Sequence, residues 1–187
     1  MSQKTPVPIF TYNRPLHAQQ MLDSLAACQR LEECQPIIFS DGPRIPEHEV
    51  VVRDVRQITR NWAKKYNAKL IERAKNLGLA HSIVDGVIKL CNEYGRVIVL
   101  EDDLVLHPAF VDFMLQSLDR YSDDDRIAQM AGFTFPIETS ETPNTFLLPL
   151  TTSWGWATWK RAWDSFSCDI RTRAGRIRRR FPLACLL

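Results

Sequence analysis

At 187 residues the chain is long enough for one domain with a sizeable core and too short for two complete ones. Hydrophobic residues make up 45% and charged residues 25%, the balance of an ordinary globular protein. A net charge of +2 gives no whole-protein field that would favour nucleic acid or a membrane, and no run approaches the 18 apolar residues of a membrane span.

Val7 to Tyr12 reads as a short buried strand that stops at Asn13-Arg14-Pro15. Ala18, Met21, Leu22, Leu25 and Ala26 follow at three- and four-residue steps, the spacing of a helix with one buried face. Pro36 to Ser40 forms a second strand, closed by the turn signal Asp41-Gly42-Pro43. Val51, Val55, Ile58, Trp62 and Tyr66 mark a second amphipathic helix, and Ala68 to Glu72 a weaker third strand. Ile83, Val87, Leu90, Cys91 and Tyr94 belong to a third helix, broken at Gly95-Arg96. Val97-Ile98-Val99-Leu100 is then the cleanest buried strand in the chain.

Strands alternating with helices of this length predict an α/β fold with a mostly parallel sheet covered on both faces. Four apolar residues without alternation suit a central strand. Beyond Pro108 a further helix carries Phe110, Phe113, Met114 and Tyr121, and Asp123-Asp124-Asp125 reads as a solvated loop. Strands are expected at residues 127–133 and 145–150, before the aromatic stretch at 154–163. Residues 1–165 thus form one domain and 166–187 a basic tail. In that tail Arg171, Arg173, Arg176, Arg178, Arg179 and Arg180 stand with no acid among them. The change of character suggests a truncated or frame-shifted end, with a basic patch for an anionic membrane or an ordinary cationic helix as alternatives.

The cysteines at 28, 34, 91, 168 and 185 show no zinc-type spacing, so reduced thiols and a cytoplasmic location are expected. The N-terminus has no apolar stretch of signal-peptide length.

Ligands of open α/β sheets bind beyond the carboxyl ends of the strands. The residues there are Asn13-Arg14, Asp41-Gly42, residues 73–78 and Glu101-Asp102-Asp103. Three acids after a buried strand repel one another, by about 4 kcal/mol for a pair at about 4 Å and an effective dielectric near 20. A divalent cation removes that cost, and carboxylates are the hard ligands that Mg²⁺ or Mn²⁺ prefers. The plain alternative is a solvated acidic turn. Neither a P-loop nor a dinucleotide fingerprint is present, so a bound phosphate would rely on a cation with Arg14.

Taken together, Pro8 to Pro15, Ile37 to Gly42, Asn76-Leu77-Gly78, Val97 to Phe110 and Ser153-Trp154-Gly155-Trp156 resemble the GT-A glycosyltransferases. They look like the family 2 inverting enzymes, and still more like the group related to N-acetylglucosaminyltransferase I. The resemblance spans roughly residues 7–165. It implies a metal-dependent, inverting transfer from a nucleotide-sugar donor, UDP-linked, to a saccharide or lipid-linked acceptor. It also implies roles. Asp103 would bind Mn²⁺ or Mg²⁺, while Glu101 and Asp102 contact ribose, sugar or metal-bound water. Asp41 would pair with a uridine-type base and Arg14 with the diphosphate. Thr11, Asn76 and Gly78 would line the nucleotide pocket, and Trp154, Gly155 and Trp156 the wall where donor sugar and acceptor meet. Asp164 and Asp169 are the candidate bases for the acceptor proton.

Other readings are a non-catalytic nucleotide-sugar-binding remnant or a carbohydrate-binding module built on the tryptophans. A nucleotidyltransferase would need a glycine-rich N-terminal loop, and a haloacid-dehalogenase-like phosphatase an acid after the first strand. Neither is found.

Overall fold

The computed structural model describes residues 3–135 and 145–165 and the backbone of a strand at 183–186. In chain order the elements are β1 (Thr5–Thr11), α1 (Pro15–Ala26), β2 (Cys34–Ser40), α2 (Glu49–Tyr66), β3 (Lys69–Glu72), α3 (Leu79–Tyr94), β4 (Arg96–Glu101), α4 (Phe110–Arg120), β5 (Ile127–Ala131), β6 (Phe146–Leu148), β7 (Trp156–Trp159), α5 (Lys160–Trp163) and β8 (Leu183–Leu186). They build one sheet in the order β3-β2-β1-β4-β7-β5-β8-β6.

The first four strands in that order are parallel, as the βα alternation predicts. β7 runs against both β4 and β5, and β6 against β8, so the sheet is mostly but not wholly parallel. The chain winds outward from β1 through β2 to β3, then returns to lay β4 on the other side of β1. This reversal makes the gap between β1 and β4 a topological switch point, where the loops leaving neighbouring strands diverge and open a crevice.

β4 lies at the centre and is buried on both faces. Ile98 and Leu100 pack with α1, α2 and α4, whereas Val97 and Val99 face α3. That two-sided burial explains the unbroken apolar run. In α2 the buried stripe is Val52, Val55, Thr59, Trp62 and Ala63, while the expected Val51, Ile58 and Tyr66 sit at its margins. The stripe admits small Ala63 and Thr59, whose hydroxyl donates to the Arg56 carbonyl. Apolar counting passed over both. Tyr121 falls just past the end of α4.

Cys28, Cys34 and Cys91 are free and buried, and burial pushes the Cys34 and Cys91 thiols up to about 12. The thiols of Cys168 and Cys185 lie outside the described residues, as do Asp169 and the arginine cluster at 171–180. Among the described residues no helix is long and apolar enough to cross a membrane. Residues 123–125 are the expected loop, where Asp124 is held at about 2 by hydrogen bonds from the Arg126 side chain and backbone.

Candidate functional site

The crevice is set by register. Phe10 pairs with Glu101, so the residues after β1 and those after β4 leave the sheet side by side. Pro15 occupies the first turn of α1, and the Arg14 carbonyl accepts from the Ala18 amide at 2.9 Å, which fixes the Arg14 main chain. From there the guanidinium reaches both acids. Nη2 donates to Asp102 Oδ1 at 2.5 Å and Nη1 to Asp103 Oδ2 at 3.1 Å. Asp102 also accepts from the Tyr12 amide at 3.2 Å. Its side chain is only 4% exposed, against 40% for Asp103 and 44% for Arg14.

The electrostatics follow from that burial. Desolvation raises the pKa of Glu101, and its acidic neighbours add to the effect. Asp102 is also raised: burial of its carboxylate outweighs the Arg14 charge and the Tyr12 hydrogen bond. Burial opposes the charge on Arg14, but Asp102 and Asp103 together hold its pKa above the ordinary value. The trio is therefore a concentration of negative charge, with Arg14 paired to Asp102 and Asp103 and Arg44 also lining the adjoining cleft.

Asp41 occupies the next loop and is buried. Its Oδ1 accepts from the Gly42 amide, its Oδ2 from the Gly78 amide, and both from the Leu77 amide, all near 3 Å. One carboxylate thus ties the loop after β2 to the start of α3. Gly78 takes φ +77° at the helix N-cap, and Asn76 Nδ2 donates to the Gly42 carbonyl at 2.9 Å. A Cβ on Gly42 would lie 2.7 Å from the Lys75 backbone, so only glycine permits the two loops to meet. Arg56 adds a further tie, donating to the Asp41 and Arg73 carbonyls.

Between these loops lies a cleft of about 220 Å³ that brings Thr11, Arg14, Asp41, Asn76, Gly78 and Asp102 together. The hydroxyl of Thr11 is buried without a hydrogen-bond partner among the described residues. Sequence reasoning missed Tyr12, Phe39 and Ser82, which also line the cleft. The Tyr12 hydroxyl is pinned between His48 Nδ1 at 2.6 Å and the Arg44 amide at 2.9 Å. Arg73 lies over the Phe39 ring at 5.3 Å and donates to Ser82 Oγ. Strand apolarity had absorbed Phe39 and Tyr12 into the expected core. Their position at a strand end was the available signal.

Leu104 and Val105, which follow the carboxylates in the chain, line an apolar cavity of about 360 Å³ together with Phe110, Phe133, Trp154 and Gly155 among others. Trp154 is exposed and meets Phe133 and Phe135 edge to face at 4.7 and 5.9 Å. One expectation needs correction here. Trp156 is 7% exposed and stacks on Trp163 at 5.6 Å, so it belongs to the core and not to a ligand wall. Gly155 lines that cavity, and its backbone also lies close to a protein ring, since a Cβ there would stand 3.0 Å from Phe110.

Asp164 is also corrected. β7 runs back from Val99 to Arg96, and the Lys160 amide donates to the Gly95 carbonyl. α5 therefore starts at the amino edge of the sheet, about 16 Å from the crevice at the usual rise of a strand. There Asp164 accepts from Lys160 Nζ at 2.7 and 2.8 Å. That position is remote from the crevice.

Among the described residues no group of three or more His, Cys, Asp or Glu side chains forms a ready-made metal cage. The donor set still suits a hard cation of the Mg²⁺ type, which takes one or two protein carboxylates and fills its shell with phosphate oxygens and water. Asp103 is the accessible carboxylate; Asp102 is committed to Tyr12 and Arg14.

No family model matches the chain, and no curated protein matches it by sequence. Solved structures do. Over 99% of this chain the fold is shared with the crystal structure of S. aureus TarS 1-349, at 13% identity and a TM-score of 0.63, covering 58% of that chain. A mannosyltransferase from Pyrobaculum calidifontis, in complex with GDP-Man and Mn²⁺, matches 71% of this chain and 36% of its own at 13% identity and a TM-score of 0.54. Glucosyl-3-phosphoglycerate synthase from Mycobacterium tuberculosis, in complex with Mn²⁺ and UDP, matches 84% of this chain and 57% of its own at 12% identity and a TM-score of 0.51. The chain has the GT-A fold, and it spans between about one third and three fifths of the length of these three structures.

Proposed function

We propose that this chain binds a nucleotide-diphosphate sugar across the β1–β4 crevice, with a divalent cation on Asp103, for transfer of the sugar to an acceptor hydroxyl. The observation that carries this reading is the convergence of Arg14, Asp102 and Asp103 at the switch point, beside a cleft closed by the Asp41 clamp.

In this reading the nucleoside lies in the cleft against Tyr12, with Asp41, Asn76 and Gly78 shaping the loop around it and the base of uridine type. The diphosphate faces Arg14, whose planar fork suits paired phosphate oxygens. The cation, Mn²⁺ or Mg²⁺, supplies charge stabilisation for the departing diphosphate. Asp103 holds that cation, and buried Asp102 orients Arg14 and the turn after β1. The acceptor approaches from the Trp154 side, where an exposed indole offers a flat apolar face to a sugar ring. Inversion at the anomeric carbon is carried over from the family 2 resemblance, and the base that it requires is not Asp164. A saccharide or lipid-linked acceptor and a cytoplasmic setting belong to the same proposal.

A thermal-shift panel of nucleotide sugars, with and without Mn²⁺, tests the reading on wild type and Asp103→Ala. A metal-dependent stabilisation by a UDP-linked donor that the variant loses supports it. Equal stabilisation of both proteins removes Asp103 from the site. A parallel donor-hydrolysis assay separates a transferase from a non-catalytic binder, because binding without turnover marks the latter.

A further inference from the structure

We infer that Arg14 is the resting counter-ion of the cation site and changes partners when the cation and a diphosphate arrive together. This rests on the donor-and-cation reading above and extends it to how the site is kept and filled. One guanidinium spans two carboxylates, Nη2 on Asp102 Oδ1 and Nη1 on Asp103 Oδ2. The main chain of Arg14 is fixed by the start of α1, yet its side chain is 44% exposed. The guanidinium can therefore swing without any movement of the backbone. Asp102 is only 4% exposed, and its second oxygen is satisfied by the Tyr12 amide, so it stays in place as Arg14's fixed partner.

A divalent ion on Asp103 would sit within a few ångströms of that guanidinium. The two compete for one carboxylate and repel each other. The repulsion ends when Nη1 leaves Asp103 for an anion in the adjoining cleft, which Arg14 also lines. A diphosphate is the anion whose paired oxygens match the fork. The cation then binds weakly alone and well with the nucleotide, because each ligand removes an obstacle to the other. Such coupling is reciprocal by thermodynamic necessity. Its consequence is selectivity: free metal does not occupy the site, and an unloaded site does not hold three uncompensated acids.

The test measures Mn²⁺ affinity by electron paramagnetic resonance, with and without UDP, in wild type, Arg14→Gln and Arg14→Lys. Without UDP the Gln variant should bind Mn²⁺ about tenfold more tightly than wild type, the order expected from removing one positive charge a few ångströms away near the surface. The Lys variant, which keeps the charge, should stay close to wild type. The factor by which UDP improves Mn²⁺ affinity should shrink in the Gln variant. If wild type shows UDP-enhanced Mn²⁺ binding but the Gln variant gains nothing without UDP, the partner exchange is overturned and the donor-and-cation reading stands. If wild type shows no Mn²⁺ binding even with UDP, the reading falls and the exchange falls with it. Thermal unfolding of each variant confirms that folded protein was compared.

Discussion

Trp154 and Trp156 stand two residues apart and point to different environments. In a regular strand such neighbours share a face. Here Gly155 takes φ +63° between them, which breaks the alternation just before β7 begins. Trp154 is released to the aromatic rim with Phe133 and Phe135, while Trp156 enters the core against Trp163. One residue thus separates a surface available to ligand from a residue that holds the sheet together.

The two tryptophans should therefore respond differently to truncation. Trp156→Ala should cost about 3–5 kcal/mol of stability, the range for a large buried ring, as measured by chemical denaturation. Trp154→Ala should change stability by less than about 1 kcal/mol and instead lower acceptor-dependent transfer. Comparable unfolding midpoints for the two variants would contradict the assignment.

Gly155→Ala should destabilise by about 1–3 kcal/mol, since the new Cβ meets Phe110 and the left-handed backbone disfavours any side chain. A wild-type melting curve for this variant would show that the loop can relax around Phe110.

Asp41→Asn should loosen the loop at 76–78, because an amide nitrogen cannot accept from the Leu77 and Gly78 amides. A loss of about 2–3 kcal/mol is expected from the buried donors left unpaired, with weaker UDP binding by calorimetry. UDP affinity equal to wild type would separate the clamp from the nucleotide site.

The metal-free protein should show a pH signature from Glu101. Its folded pKa is raised by desolvation, so its ionised form is penalised on folding. The penalty is absent below the unfolded pKa near about 4 and grows as pH rises through the raised folded value. Asp102, raised by burial, contributes with the same sign. Glu101→Gln should accordingly match wild type near pH 4 and melt higher than wild type by pH 7. Mn²⁺ with UDP should narrow the gap. A gap that shrinks as pH rises would reverse the assigned sign.

Asp164→Asn should leave donor binding and transfer unchanged, costing about 0.3–0.5 kcal/mol of exposed ion pairing with Lys160. A large loss of transfer with normal folding would return Asp164 to the site.

The sequence by itself determined the βα alternation through β4, the burial of Val97 to Leu100 on both faces and the placement of Arg14, Asp41 and Glu101 to Asp103 at the strand ends. These are local matters: hydrophobic period, turn chemistry and the side of a strand on which the chain exits. Only the tertiary structure decided which strand ends are neighbours. The return of β4 to the side of β1 joins Arg14 to acids 88 and 89 residues away, and the reversal of β7 removes Asp164 to the far edge of the sheet. It also decided that Asp41 binds its own loop, that Trp156 is core and that Gly155 makes room for Phe110. Strand order and strand direction arise from contacts between segments distant along the chain, and a pattern read over ten or twenty residues carries no record of them.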